Sequence, residues 1–173
     1  STDNPWGISI GHCYASTVVG NDGILYKMPF DTDATVLRYD LIAGEVLPSI
    51  DGPPSNIGGV NQGWQTVQAT SFLPSLGDEG SLIHVNNSGG RVNRYDIATG
   101  AWTNLSANNT FVNSVVSIYN PHTDSVFAGM AIGEQCVIID NTGAATLTNV
   151  SPVNSLEQCS YVAAPTSNDM LVF

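Results

Sequence analysis

The chain is 173 residues long and sets 15 acidic side chains against four basic ones (Lys27, Arg38, Arg91, Arg94), for a net charge of −11 with only 11% of residues charged. A chain this acidic has no clustered cations to hold phosphate groups, which makes nucleic acid and anionic membrane poor partners and points to neither. No apolar run reaches the ~18 residues of a membrane-spanning helix, so no membrane span is expected.

In chain order, the first element is an apolar strand pair around a polar turn, Val18-Val19-Gly20-Asn21-Asp22-Gly23-Ile24-Leu25-Tyr26. A loop with Asp31-Thr32-Asp33 leads to a strand, turn and strand hairpin over Val36 to Leu47 that contains Tyr39-Asp40 and turns at Gly44. A Gly/Pro/Asn-rich segment, Asp51 to Gly63, follows. The pattern then repeats: Ser71 to Ile83 around Gly77-Asp78-Glu79-Gly80, and a hairpin over Val92 to Thr103 with Tyr95-Asp96 and Gly100. A third copy runs from Val116 to Phe127 around Asn120-Pro121-His122-Thr123-Asp124, then through Ile139-Asp140 and Gly143 to Thr146. A fourth begins at Tyr161 and has reached only its second strand at Phe173.

Each unit therefore reads as strands A, B, C and D, and the repeated aspartates Asp40, Asp96 and Asp140 lie 56 and 44 residues apart. A period of roughly 40 to 50 residues built from hairpins is that of a propeller blade. The expected fold is all-β: a β-propeller-like array of four-stranded antiparallel blades, about three and a half of them in an incomplete ring. Blades are expected near residues 7–50, 64–106 and 111–151, with a half-blade at 156–173 and no helix between residues 10 and 160. Natural propellers close with about four to eight blades, and bare sheet edges invite pairing. Either the chain belongs to a longer polypeptide, or a second copy completes the ring, or the architecture is another β arrangement. In the first two cases the edge at Leu171-Val172-Phe173 and the segment Ser1 to Ile10 meet further protein. Trp102, on a second hairpin strand, is expected to bury against its own blade.

The run Tyr95-Asp96, Thr99-Gly100, Trp102-Thr103 resembles that of kelch-type propeller blades. Two departures are visible: the double glycine of a kelch strand B is missing, and the third unit has Ile139-Asp140 in place of Tyr-Asp. Copper-radical oxidases are kelch-like enzymes that need a Tyr/Tyr/His/His cluster and a Cys crosslinked to Tyr. His12, Cys13 and Tyr14 offer those residue types only as sequence neighbours, and the other histidines, His84 and His122, fall in different units. A lone histidine in a strand or turn is most often structural, and no Gly-Xaa-Ser-Xaa-Gly or His-Glu-Xaa-Xaa-His motif is present.

Scarce charge with abundant Ser, Thr, Asn and Gly points to an extracellular chain, secreted or at the cell surface, and the opening residues lack a secretory leader, as a mature secreted chain would. Four glycosylation sequons begin at Asn86, Asn104, Asn108 and Asn149. Asn86 and Asn108 are the favoured acceptors because they are expected in loops, whereas Asn104 and Asn149 share a place at the end of strand D and follow from the repeat. Three cysteines cannot all pair within one chain. Cys136 on a strand C is expected to face the neighbouring strand A that holds Cys159, which makes Cys136–Cys159 the expected bridge and leaves Cys13 free or bonded to a further segment; the alternative is that the cysteines are buried free thiols. Asp31 and Asp33 supply hard oxygens that suit calcium, although Asp in turns also serves its own backbone.

The segment after Asp51 is an insertion between the first two blades, and long loops on rigid scaffolds tend to carry binding groups. Asp51, Asn56, Asn61, Gln62 and Trp64 are side chains that hydrogen-bond and stack on sugars; a passive tether is the bland alternative. Two functions compete. One is a non-catalytic extracellular propeller that binds a glycan or protein or builds a surface assembly, with further blades or a second copy as partner and no cofactor. The other is a secreted propeller hydrolase or oxidase whose site is completed by other blades.

Overall fold

The computed structural model describes residues 17–28, 35–54, 68–86, 91–105, 116–129, 135–149, 161–163 and 170–172. Blade one comprises β1 (Thr17–Val19), β2 (Ile24–Lys27), β3 (Thr35–Asp40) and β4 (Glu45–Asp51). Blade two comprises β5 (Gln68–Leu73), β6 (Ser81–Asn86), β7 (Arg91–Asp96) and β8 (Ala101–Asn104). Blade three comprises β9 (Val116–Asn120), β10 (Ser125–Gly129), β11 (Gln135–Asp140) and β12 (Ala145–Asn149), and β13 (Tyr161–Ala163) pairs with β14 (Met170–Val172) in a two-stranded sheet. Every sheet is antiparallel with its strands in sequence order, and no helix occurs among the described residues. The first strands of the sheets, β1, β5, β9 and β13, lie side by side, so the array is three four-stranded blades and a two-stranded sheet that stay open rather than close.

The hairpin repeat has a local cause. Asp40 receives the backbone N–H groups of Ile42 and Ala43 on its Oδ1 at 2.7 and 2.8 Å, while its carbonyl accepts the Gly44 N–H at 2.9 Å. Asp96 does the same for Thr99 and Gly100, and Asp140 for Thr142, Ala144 and Gly143. A short carboxylate that satisfies turn donors specifies where the chain reverses. Gly44 and Gly100 close these turns at φ 73° and 71°, the left-handed region that glycine enters without a Cβ clash.

Alternation along each strand sends one face to the preceding blade and the other to the following one. Between blades one and two, Tyr26, Met28 and Val36 pack against Leu82 and Tyr95. Between blades two and three, Leu73, Leu76, Ile83, Val85 and Val92 pack against Val126, Ala128, Val137 and Ile139. The second seam is also stitched by hydroxyls near the innermost strands: Ser117 Oγ donates to the Ile83 carbonyl at 3.1 Å and accepts from Ser71 Oγ at 2.7 Å.

The shared turn sets equivalent positions. Leu25–Tyr39, Leu82–Tyr95 and Val126–Ile139 are the same cross-strand pair in blades one, two and three, and so are Lys27–Leu37, His84–Asn93 and Ala128–Val137. In blades two and three these residues are at most 6% exposed, covered by the preceding blade. In blade one Lys27 is buried at 4% exposure, whereas Leu25, Leu37 and Tyr39 are only partly buried, and Val19 and Val46 beside them are 43% and 49% exposed.

Candidate functional site

Because the strands alternate in direction, the A–B and C–D turns form one rim and the B–C and D–A connections the other. Asp51, the last residue of β4, stands on the second rim at the root of the insertion, with its side chain exposed and Gly52 and Pro53 buried behind it. Its carbonyl accepts the Trp102 indole N–H at 2.9 Å, a bond from blade two to blade one. Trp102 tilts against Tyr95, with ring centroids 5.1 Å apart, and meets His84 edge-on at 6.3 Å. It is half-buried rather than fully buried, and it serves two blades, not only its own. An outer strand has solvent on one side, which is why complete burial fails there.

Beneath Trp102, Thr70, His84, Asn93 and Asn104 form one cross-strand row through all four strands of blade two. His84 and Asn93 are 0% exposed. Thr70 Oγ1 lies 3.0 Å from His84 Nδ1, whereas His84 Nε2 and both amide atoms of Asn93 have no hydrogen-bond partner. Burial drives the His84 pKa down to about 4, because an imidazolium there would lose its hydration without a counter-ion. Blade three fills the same pair of positions with Ala128 and Val137, so the blade itself does not require polar groups there. In the sequence His84 is one lone histidine and nothing singles out Asn93; the hint lies in aligning the units on their turn aspartates.

The described carboxylates are mostly engaged in turns. Asp22 accepts from the Ile24 N–H and from the Tyr26 hydroxyl at 2.6 Å; burial, and then this hydroxyl bond, raise the Tyr26 pKa. Arg94 is paired with Asp96 and donates to Ser81 Oγ, whose own hydrogen goes to the Leu76 carbonyl. Asp124, at φ 48°, accepts from Ser75, Asn141 and Tyr119, and these bonds hold its carboxyl below the usual range. Among the described residues, no group of three or more His, Cys, Asp or Glu is gathered to hold a metal.

Other predicted site residues separate. Asn56, Asn61, Gln62, Trp64, Asp31, Asp33, Asn108, His12, Cys13 and Cys159 lie outside the described residues. Cys136 is on β11 opposite Thr148, so the Cys136–Cys159 bridge has only one end in the described structure. Asn104 and Asn149 are the last residues of β8 and β12, as their shared place in the repeat requires. Asn86 does not fall in a loop: it is the last residue of β6, paired in register with Gln68 and Arg91, because the strand runs three residues beyond the apolar Ser81 to Ile83 segment. His122 is exposed in the A–B turn of blade three, its N–H donating to Asn120 Oδ1 at 2.9 Å.

No family model matches the chain, and no curated protein is similar to it. Among solved structures, a streptogramin B lyase superposes with a TM-score of 0.57 at 14% identity, over 92% of this chain and 53% of that one. A catalytically inactive virginiamycin B lyase from Staphylococcus aureus, with quinupristin, gives 0.55 at 12% identity, over 91% and 54%. TolB from Acinetobacter baumannii gives 0.53 at 16% identity, over 95% and 41%. The chain thus spans about half the length, or less, of the structures it matches. At such identities the likeness is one of fold, and with the blade topology it makes the chain a β-propeller-like array.

Proposed function

We propose that the chain is a non-catalytic extracellular propeller module that receives another blade on blade one and binds a glycan or protein ligand on its B–C and D–A rim. The observation that carries this reading is the loss of cover at three of the four equivalent positions, Lys27 alone staying buried. Leu25, Leu37 and Tyr39 occupy places that are buried in blades two and three, yet on blade one they stay partly exposed. An apolar sheet face of that kind is a surface for another sheet. Further blades of the same polypeptide or a second copy supply it, and the kelch-like Tyr-Asp, Thr-Gly, Trp-Thr run supports a blade of the same type.

Light scattering on the 18.2 kDa chain tests the assembly half of the proposal. The wild type is expected to elute above monomer mass, and the double variant Val19→Lys/Val46→Lys, altered at exposed positions that folding tolerates, is expected to elute as a folded monomer. A wild-type monomer at all concentrations would rule out a second copy and leave further blades of the same polypeptide as the cover.

The Trp102 bond to Asp51 fixes the root of the insertion, which favours Asp51, Asn56, Asn61, Gln62 and Trp64 as the ligand-contacting set. On a glycan array, discrete binding that Trp64→Ala abolishes at unchanged Tm is the expected outcome; an empty array would leave protein as the ligand class. Asp31 and Asp33 offer carboxylate oxygens for calcium, and a chelator is then expected to lower the Tm. Sequons at Asn86, Asn104, Asn108 and Asn149 and the Cys136–Cys159 bridge belong to the same extracellular reading, and intact mass before and after glycosidase and reductant reads both. The competing reading, a secreted enzyme completed by other blades, is favoured by the fold it shares with two lyases about twice as long.

A further inference from the structure

The row across blade two holds three buried polar atoms that the protein leaves without partners, His84 Nε2 and the Asn93 amide oxygen and nitrogen. We propose that the seam between blades one and two is a built hydration site, in which ordered water bridges His84 Nε2 and the Asn93 amide. Three independent observations converge on it. Register makes His84 and Asn93 direct cross-strand partners, so their side chains stand on one face at neighbouring positions. Both are fully buried, where a polar group without a partner is destabilising. Finally, Ala128 and Val137 at the same places in blade three show that the blade packs without polar groups there, so His84 and Asn93 are an addition to it.

The chemistry selects a small neutral ligand. Thr70 occupies Nδ1, and if Nδ1 carries the ring proton, Nε2 is an acceptor. Trp102 cannot serve it, because its single N–H is bonded to Asp51. An acceptor beside an amide that both donates and accepts matches water, which commonly makes about three bonds at buried polar sites.

A crystal structure of the wild-type chain at better than about 1.5 Å tests this directly. The expected result is a solvent peak at hydrogen-bonding distance, about 2.6 to 3.2 Å, from both His84 Nε2 and an Asn93 amide atom. A seam with no such peak, or with a protein group bonded to Nε2, overturns the proposal. In solution, the wild type is expected to show cross-peaks between the His84 ring and a long-lived water. The single variant Asn93→Val, which copies blade three at that position and keeps the His84 ring, is expected to fold and to lose that signal; persistence of the same signal also overturns the proposal.

Discussion

At the scale of single residues, burial decides the behaviour of His84. Folded His84 takes a proton only near pH 4, whereas an unfolded histidine takes one near 6.5. Between these values the unfolded chain binds more protons, so the stability tied to neutral His84 is fully present above pH 6.5 and is lost as pH falls toward 4. The loss is expected to reach about 3 kcal/mol, since each tenfold change in proton affinity is worth about 1.4 kcal/mol. Asp124 and Asp140 do not confuse this window, because their hydrogen bonds hold both below the ordinary carboxylate value and their loss falls at lower pH. Urea titrations of the wild type and His84→Gln at pH 7 and pH 4.5 check it: the variant is expected to show a flatter pH dependence, and parallel curves would show that His84 does not titrate in the seam. Trp102 separates two contributions in the same way. Trp102→Phe keeps a ring against Tyr95 and loses the N–H bond to Asp51, for an expected cost of about 1 kcal/mol. Trp102→Ala loses the packing as well and is expected to cost roughly 2 to 4 kcal/mol, toward the low side of buried aromatic truncations because one side faces solvent.

At the scale of elements, the hairpins owe their positions to a carboxylate and a glycine rather than to strand propensity. Asp40 and Asp96 do the same work in their turns, but Asp96 also pairs with Arg94, which ties the turn to Ser81 and through it to the Leu76 carbonyl. Asp96→Ala is therefore expected to destabilise the fold more than Asp40→Ala, each by an amount on the order of 1 to 2 kcal/mol. Equal shifts in calorimetry would show that the ion pair adds nothing, as exposed pairs often do. The β5 to β9 stitch gives a second element-level outcome. Ser117→Ala removes the donor to Ile83 and the acceptor of Ser71 together, so it is expected to cost more than Ser71→Ala, and the double variant little more than Ser117→Ala alone. Additive losses in a double-mutant cycle would show that the hydroxyls act independently.

For the whole molecule, stability depends on the seams, since each blade shares at least one face with a neighbour. Blade two is covered on both faces and contributes most of the core, whereas blade one is closed only toward blade two. Protection from hydrogen exchange is expected to be greatest in β6 and β7 and lower in β3, at the half-covered positions Leu37 and Tyr39. The β14 segment Met170–Val172 is expected to exchange slowly where the array is assembled and quickly in the Val19→Lys/Val46→Lys monomer; equal rates in both would separate the edge of the array from assembly.

The fold was legible in the sequence because its determinants are local. The turn carboxylates, the glycines beyond them and the alternation of apolar residues recur at blade spacing, and each acts within a few residues of itself. Even the worn third copy, with Ile139 for tyrosine, keeps Asp140 and Gly143, and it is the turn that defines the hairpin. The site was much less legible. Whether His84 lies in solvent or in a sealed seam depends on which face of β6 meets blade one, and that follows from contacts between residues more than 40 positions apart. The bond from Trp102 to Asp51 spans 51 positions and has no signature in either segment. Sequence alone determined the strands, their turns and their repetition, because short-range hydrogen bonds and side-chain alternation write them. Only the tertiary structure decided which polar groups lost water and which apolar face was left partly bare, because desolvation is a property of what packs against a residue and not of the residue itself.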